Sequence, residues 1–422
     1  SVSADGRYVA FESDATNLAP GDTGWDRDIF VHDRQTGVTE RVSVDSLGAA
    51  ALHNSYGPSV SSDGRYVAFE SDATNLVPGD TNGYRDIFVH DRQTGVTERV
   101  SVDSLGREGD WTSIESSMSA DGRYVAFVSK ASNLVLGDTN GTNDIFVHDR
   151  QTGVTERVSV DSLGAEANDN SFSPSVSADG RYVAFESDAT NLVPGDTNGQ
   201  TDIFVHDRPA HVTERVSVDS LGTEADRDSY SPSVSADGRY VAFESVATNL
   251  VPGDSGWDRD IFVHDRQTGV TERVSVDSLG AQADSFSAKP SVSADGRYVA
   301  FDSSATNLVP GDTNGQGDVF MHDRWDGLGA NSIYLTGPNA SLVLVPFDLS
   351  WQTTRGNSQY WLAYSRNLNG AVIGGHNFDI GNPTAVLATG TNATNGTGSF
   401  TSQPVPSGAA GLTLYFEVAA RD

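Results

Sequence analysis

The chain of 422 residues contains no cysteine, which excludes disulfide staples, thiolate metal sites and thiol nucleophiles. Basic residues are scarce. The 27 lysines and arginines, of which only Lys130 and Lys289 are lysines, face 58 aspartates and glutamates, a formal charge of −31. This balance argues against nucleic acid and anionic membrane surfaces as partners, because both need a basic footprint. It favours cations, or a solvent in which dense negative charge is screened. No apolar run approaches the length of a membrane helix, so no membrane insertion is expected. Helical periodicity is missing as well. So are Gly-x-Ser-x-Gly, His-Glu-x-x-His, the P-loop and the dinucleotide fingerprint. A non-enzymatic protein is expected. A lyase or glycosidase is the remote alternative, because acids abound, although near-identical repeats give no singular pocket in which to tune one of them.

What is present is repetition. Ser-Val-Ser-Ala-Asp-Gly-Arg-Tyr-Val-Ala-Phe begins at Ser1 and recurs with small changes at Ser59, Ser117, Ser175, Ser233 and Ser291, a constant step of 58 residues. The chain opens inside a repeat, as a processed chain or a fragment of something longer would. In the second unit, Pro58 to Ser61 reads as a short extended run and Asp63-Gly64 as a hairpin turn. Arg65 to Ser71 is a strand rich in aromatic and β-branched residues. A loop from Asp72 to Arg85 follows, then strands over Asp86 to Arg92 and Thr97 to Val102. Four antiparallel strands per unit at fixed period predict an all-β fold, a six-bladed β-propeller over 1–328. The sixth unit lacks a clear fourth strand after Arg324. Residues 329–422 differ in composition, with little charge and several alternating runs, and predict a small β-sandwich.

Ser-x-Asp-Gly-Arg-Tyr-Val-Ala-Phe followed by Asp-Ile-Phe-Val-x-Asp resembles the WD40-like (PD40) repeat of the TolB-type propellers, over all six units. The tail loosely resembles C-terminal sandwiches of secreted, planctomycete-type bacterial proteins. The first resemblance implies a propeller fold and little about function, since such propellers serve as binding platforms, periplasmic partners and peptidase lids.

The loop between the second and third strands carries the most chemistry. In four units it reads Asp-Thr-Asn-Gly-x-x-Asp: Asp80, Asn82, Asp86; Asp138, Asn140, Asp144; Asp196, Asn198, Asp202; and Asp312, Asn314, Asp318. Oxygen ligands at alternate positions around a glycine suit Ca²⁺. In the other two units Gly24 and Gly256 replace the asparagine, and an acid appears two residues on, giving Asp22, Asp26, Asp28 and Asp254, Asp258, Asp260. The competing reading is plain turn chemistry. Six histidines, one per third strand (His32, His90, His148, His206, His264, His322), read as bonded to neighbouring residues. The Asp-Arg and Glu-Arg pairs read as ion pairs between blades. His211 stands where its sister units carry a turn glycine. Variation concentrates in the connection from the fourth strand to the next unit, where Trp111 is the candidate ligand-binding aromatic. A calcium-stabilised, secreted bacterial protein, extracellular or at the cell surface, is expected. It would self-associate through a strand donated into the open sixth blade, or bind an extracellular glycan or protein on the variable loops.

Overall fold

The computed structural model describes residues 1–20, 25–312 and 316–325 and, further on, four short strands. The chain divides into two units, Ser1–His322 and Asp323–Asp422. In the second, Val372–Ile373 pairs with His376–Asn377, and Val386–Gly390 with Phe400–Pro404. The expected sandwich otherwise lies outside the described residues.

The first unit is all-β, a six-bladed propeller with one sheet per repeat. Sheet 2 is representative. Its strands Ser55–Val60, Tyr66–Ser71, Asp86–Asp91 and Val96–Arg99 pair antiparallel in chain order. Sheets 2 to 5 have four strands; among the described residues, sheets 1 and 6 have three. Two strands differ from the sequence expectation. The inner strand starts at Ser55 rather than at Pro58, because a bulge between Tyr56 and Ser59 takes in Gly57 and Pro58. A bulge is where a sheet accepts a proline and a left-handed residue. Gly57, Glu115, Ser173, Ser231 and Lys289 all take positive φ there. The outer strand ends at Arg99, since Ser101 turns inward and its hydroxyl donates to Asp86 and accepts from the Ile87 amide.

Sheets pack face to face. Between sheets 1 and 2, Ile29 and Val31 meet Val67, Phe69 and Phe88, and sheets 2 and 3 repeat the arrangement with Ile87 and Val89. The consecutive apolar residues of each third strand follow from burial on both faces. Each fully buried Phe, Ile or Val contributes about 1.5–3 kcal/mol. Ala4, Ser62, Ala120, Ala178 and Ala236 each donate a backbone amide to the corresponding carbonyl one sheet on, ending at Ala294. Among the described residues no bond carries this ladder from Ala294 back to Ala4.

The repeated Gly-Arg-Tyr has a packing cause. A Cβ on Gly122 would lie 2.4 Å from the ring of Tyr66 in the preceding sheet. That tyrosine is sandwiched between Arg65 of its own sheet and Arg150 of the next, at 4.6 and 4.3 Å. Arg150 also donates to Glu98 across the junction at 2.6 Å. The Asp-Arg pairs are therefore inter-blade only at the arginine. Asp91 is held bidentately by Arg65 of its own sheet, at 2.9 and 2.7 Å.

Candidate functional site

The Asp-rich loop and the variable connection emerge on one face and bond to each other. In sheet 2, Thr81 donates its amide and hydroxyl to Glu108, and Asn82 donates to the Gly109 carbonyl at 2.9 Å. At their base Arg99 places one guanidinium nitrogen, Nη1, 3.3 Å from Asp80, 3.1 Å from Asp86 and 2.9 Å from Glu108. The pattern recurs at Arg157 with Asp138, Asp144 and Glu166, and at Arg215 with Asp196, Asp202 and Glu224. The Glu-Arg arginines thus serve these clusters, not the blade junctions expected of them.

In units 2 to 4 the loop acids gather around an arginine. Asn82 is turned the other way: its amide nitrogen donates to Asp86 and its oxygen accepts from the Tyr84 amide. Asn140 and Asn198 repeat both bonds. Among the described residues no group of three or more acidic or histidine side chains stands in a metal-holding arrangement.

Three carboxylates share one guanidinium in each cluster, and burial raises the proton affinity of the two aspartates. Burial pushes Asp80, Asp138 and Asp196 up to about 6, with the neighbouring carboxylates adding and the arginine opposing. Asp196, whose side chain is 1% exposed, has no hydrogen-bond donor on either oxygen. The hydroxyl of Thr139 holds Glu166 below the usual carboxylate range.

The fifth unit is rebuilt by a residue that the spacing did not flag. Gln282 stands where units 2 to 4 have glutamate, and its amide donates to Asp254 at 3.1 Å and to Asp260 at 2.7 Å. It supplies the amide lost at Gly256, while Asp258 is exposed beside the loop. In the first unit Asp28 pairs with Arg41 at 3.1 Å and Asp26 is exposed; Asp22 lies outside the described residues. In the sixth, Asp312 and Asp318 are described and Asn314 is not.

Trp111 is 46% exposed and stacks on Tyr84, with centroids 4.9 Å apart. Trp257, which sequence reading passed over, is 75% exposed, with the Arg227 guanidinium 3.8 Å from its ring. His32, His90, His148, His206 and His264 bond across to a threonine of the outer strand. The Thr97 hydroxyl donates to the Val44 carbonyl, so its oxygen accepts from His90 Nδ1 at 2.9 Å, which fixes the tautomer. His211 takes the left-handed turn position, φ 53°.

No family model and no curated protein matches the chain. Solved structures do. TolB from Acinetobacter baumannii is 18% identical with a TM-score of 0.41, over 72% of this chain and 62% of that one, so the chain spans less than two thirds of it. A putative TolB from Agrobacterium tumefaciens is 17% identical with a TM-score of 0.43, over 71% and 85%. The chain is similar to these two proteins over about seven tenths of its length. The β-propeller domain of the Trilobed protease from Pyrococcus furiosus, which has an open velcro topology, is 13% identical to this chain, over 76% and 80%, with a TM-score of 0.47. At these identities the likeness is one of fold.

Proposed function

We propose that the chain is a non-enzymatic structural module of the bacterial exterior that assembles head-to-tail, with sheet 6 as its point of attachment. The observation that carries this reading is the exposure of Val319 and Met321, 76% and 69%, on the face that sheets 1 to 5 each bury under the next sheet. An open apolar face is an association site unless something covers it, and among the described residues sheet 6 has no outer strand. In this reading a second copy covers it, and a donated strand fills the outer position. Leu412 to Ala419, outside the described residues, is the proposed donor. Met321→Asp, and separately deletion of 412–419, should reduce the light-scattering mass to 44.7 kDa while the propeller stays folded. A parent chain already at that mass at all concentrations sinks the reading.

Calcium at the loop clusters belongs to the proposal as a stabilising ion. The surplus of carboxylates over arginine supports it, most of all the donor-free Asp196. The ion would have to displace the arginine tip, so a melting temperature equal in millimolar calcium and in chelator removes it. A second reading, recognition of a glycan or protein on the loop face, is favoured by the exposed Trp111–Tyr84 and Trp257–Arg227 stacks. It predicts that Trp111→Ala lowers affinity without changing mass, and a blank glycan array counts against it.

A further inference from the structure

We propose that the occupant of the open face of sheet 6 is the leading face of sheet 1 of a second copy. The inference rests on the assembly reading and names which surface of the partner does the docking. The chain supplies the template, because the same junction is built five times between its own sheets. At each, the trailing alanine, isoleucine and valine of one sheet meet the valine, phenylalanine, alanine and leucine of the next. Both halves of one further junction are present and apart. Sheet 6 offers Ala300, Val319 and Met321. Sheet 1 offers Val9, Phe11 and Leu18, which are only half-buried, whereas their counterparts Val67, Phe69 and Leu76 in sheet 2 are buried.

The polar fittings match too. At interior junctions a tyrosine lies over the bare Cα of the next sheet's hairpin glycine and under its Asp-Arg arginine. Among the described residues the Tyr298 ring has one arginine over it, Arg297 at 4.8 Å. Gly6 has nothing but the Arg34 tip within 4 Å of its Cβ direction, and Arg34 is exposed. Docking sheet 1 onto sheet 6 would set Gly6 and Arg34 on Tyr298. It would also join the Ala294 amide to the Ala4 carbonyl, continuing the backbone ladder across the copies. Apolar burial would supply the affinity and this ladder the register. Among the described residues no other surface carries both the apolar and the polar half of the fit.

The test is a mixing experiment on the full chain. Met321→Asp blocks the trailing face. Val9→Asp with Arg34→Glu blocks the leading face, and Arg34→Glu alone serves if the double variant fails to fold. The parent mass should rise with concentration above 44.7 kDa. Each blocked chain alone should stay at one chain, and an equimolar mixture of the two should form a dimer, since each contributes its intact face. If the parent never exceeds one chain, the assembly reading and this inference fall together. If Met321→Asp stops assembly but the leading-face variants do not, the attachment point stands and this occupant is wrong. A monomeric parent whose Phe320 and Met321 amides resist hydrogen exchange would have closed on its own sheet 1, which also overturns the inference.

Discussion

Two third strands of nearly the same sequence meet different fates. Asp86-Ile87-Phe88-Val89-His90-Asp91 in sheet 2 is wholly buried, while Asp318-Val319-Phe320-Met321-His322-Asp323 in sheet 6 leaves two apolar side chains in solvent. Local sequence does not separate them, since both are apolar at the same three positions. The difference comes from the neighbour. In a stacked array each sheet is stabilised by its own pairing and by the faces it shares, so an end sheet lacks one interface whatever its residues. Burial here is a property of place in the array, and the same substitution should have different consequences at the two places.

The sharpest way to break this comparison is a charge on the trailing face. Val89→Asp would bury a carboxylate with no partner and should cost more than about 4 kcal/mol in urea unfolding. Met321→Asp, at the matching site, should change the monomer by no more than about 0.5 kcal/mol. Equal losses would mean that sheet 6 is covered in solution. The next effect is at the hairpin glycines. Gly122→Ala drives a methyl into Tyr66 and forces a left-handed alanine, for a loss of roughly 3 kcal/mol. Gly6→Ala meets only an ordinary contact with the Arg34 tip, 3.7 Å away, and should lose only about 1 kcal/mol, the conformational part.

These contrasts mark how far the sequence could be read. The six sheets were legible because Arg-Tyr-Val-Ala-Phe and Asp-Ile-Phe-Val carry their strand signal locally, and Asp-Gly fixes the hairpin between inner strands. The start of the inner strand was not, because Gly57-Pro58 looks like a boundary and is a bulge. In the loop clusters the acids were found and their centre was missed. Arg99 lies 13 residues beyond Asp86, on another strand, and Glu108 belongs to the next connection. Such side chains meet only through tertiary packing. For the same reason the side-chain amide that Gly256 lacks comes from Gln282, on the next connection. The exposure of Val319 and Met321 has no local signature at all.

The clusters offer a finer comparison between units. Glu224→Gln should be nearly neutral in unit 4, because Asn198 already supplies an amide to Asp202 and one surplus charge is removed. The reverse change, Gln282→Glu, should cost roughly 2 kcal/mol. It removes the side-chain amide that serves both Asp254 and Asp260 and adds a third carboxylate around Arg273. Thermal melts of the two variants against the parent would check this, and similar losses in both would mean that the units are not individually compensated.

The smallest effect is a pH slope from the interior histidines. Burial lowers the His206 imidazole to about 4, against about 6.5 in an unfolded chain. Between those values the unfolded chain binds the extra proton. The stability that His206 secures by staying neutral is therefore complete above pH 6.5 and is lost as the pH falls towards 4. From pH 7 to 6 this one site should account for a decline on the order of 0.7 kcal/mol. Asp80, Asp138 and Asp196, raised to about 6, act with the opposite sign, favouring the folded chain as the pH drops from above 6 towards 4. Their slope is common to the parent and to His206→Gln, so the difference between the two unfolding curves isolates the histidine. The variant should be less stable than the parent at pH 7.5, having lost the bond to Thr213, and the gap should narrow by pH 6. A gap that stays constant would mean that His206 is not held neutral by its burial.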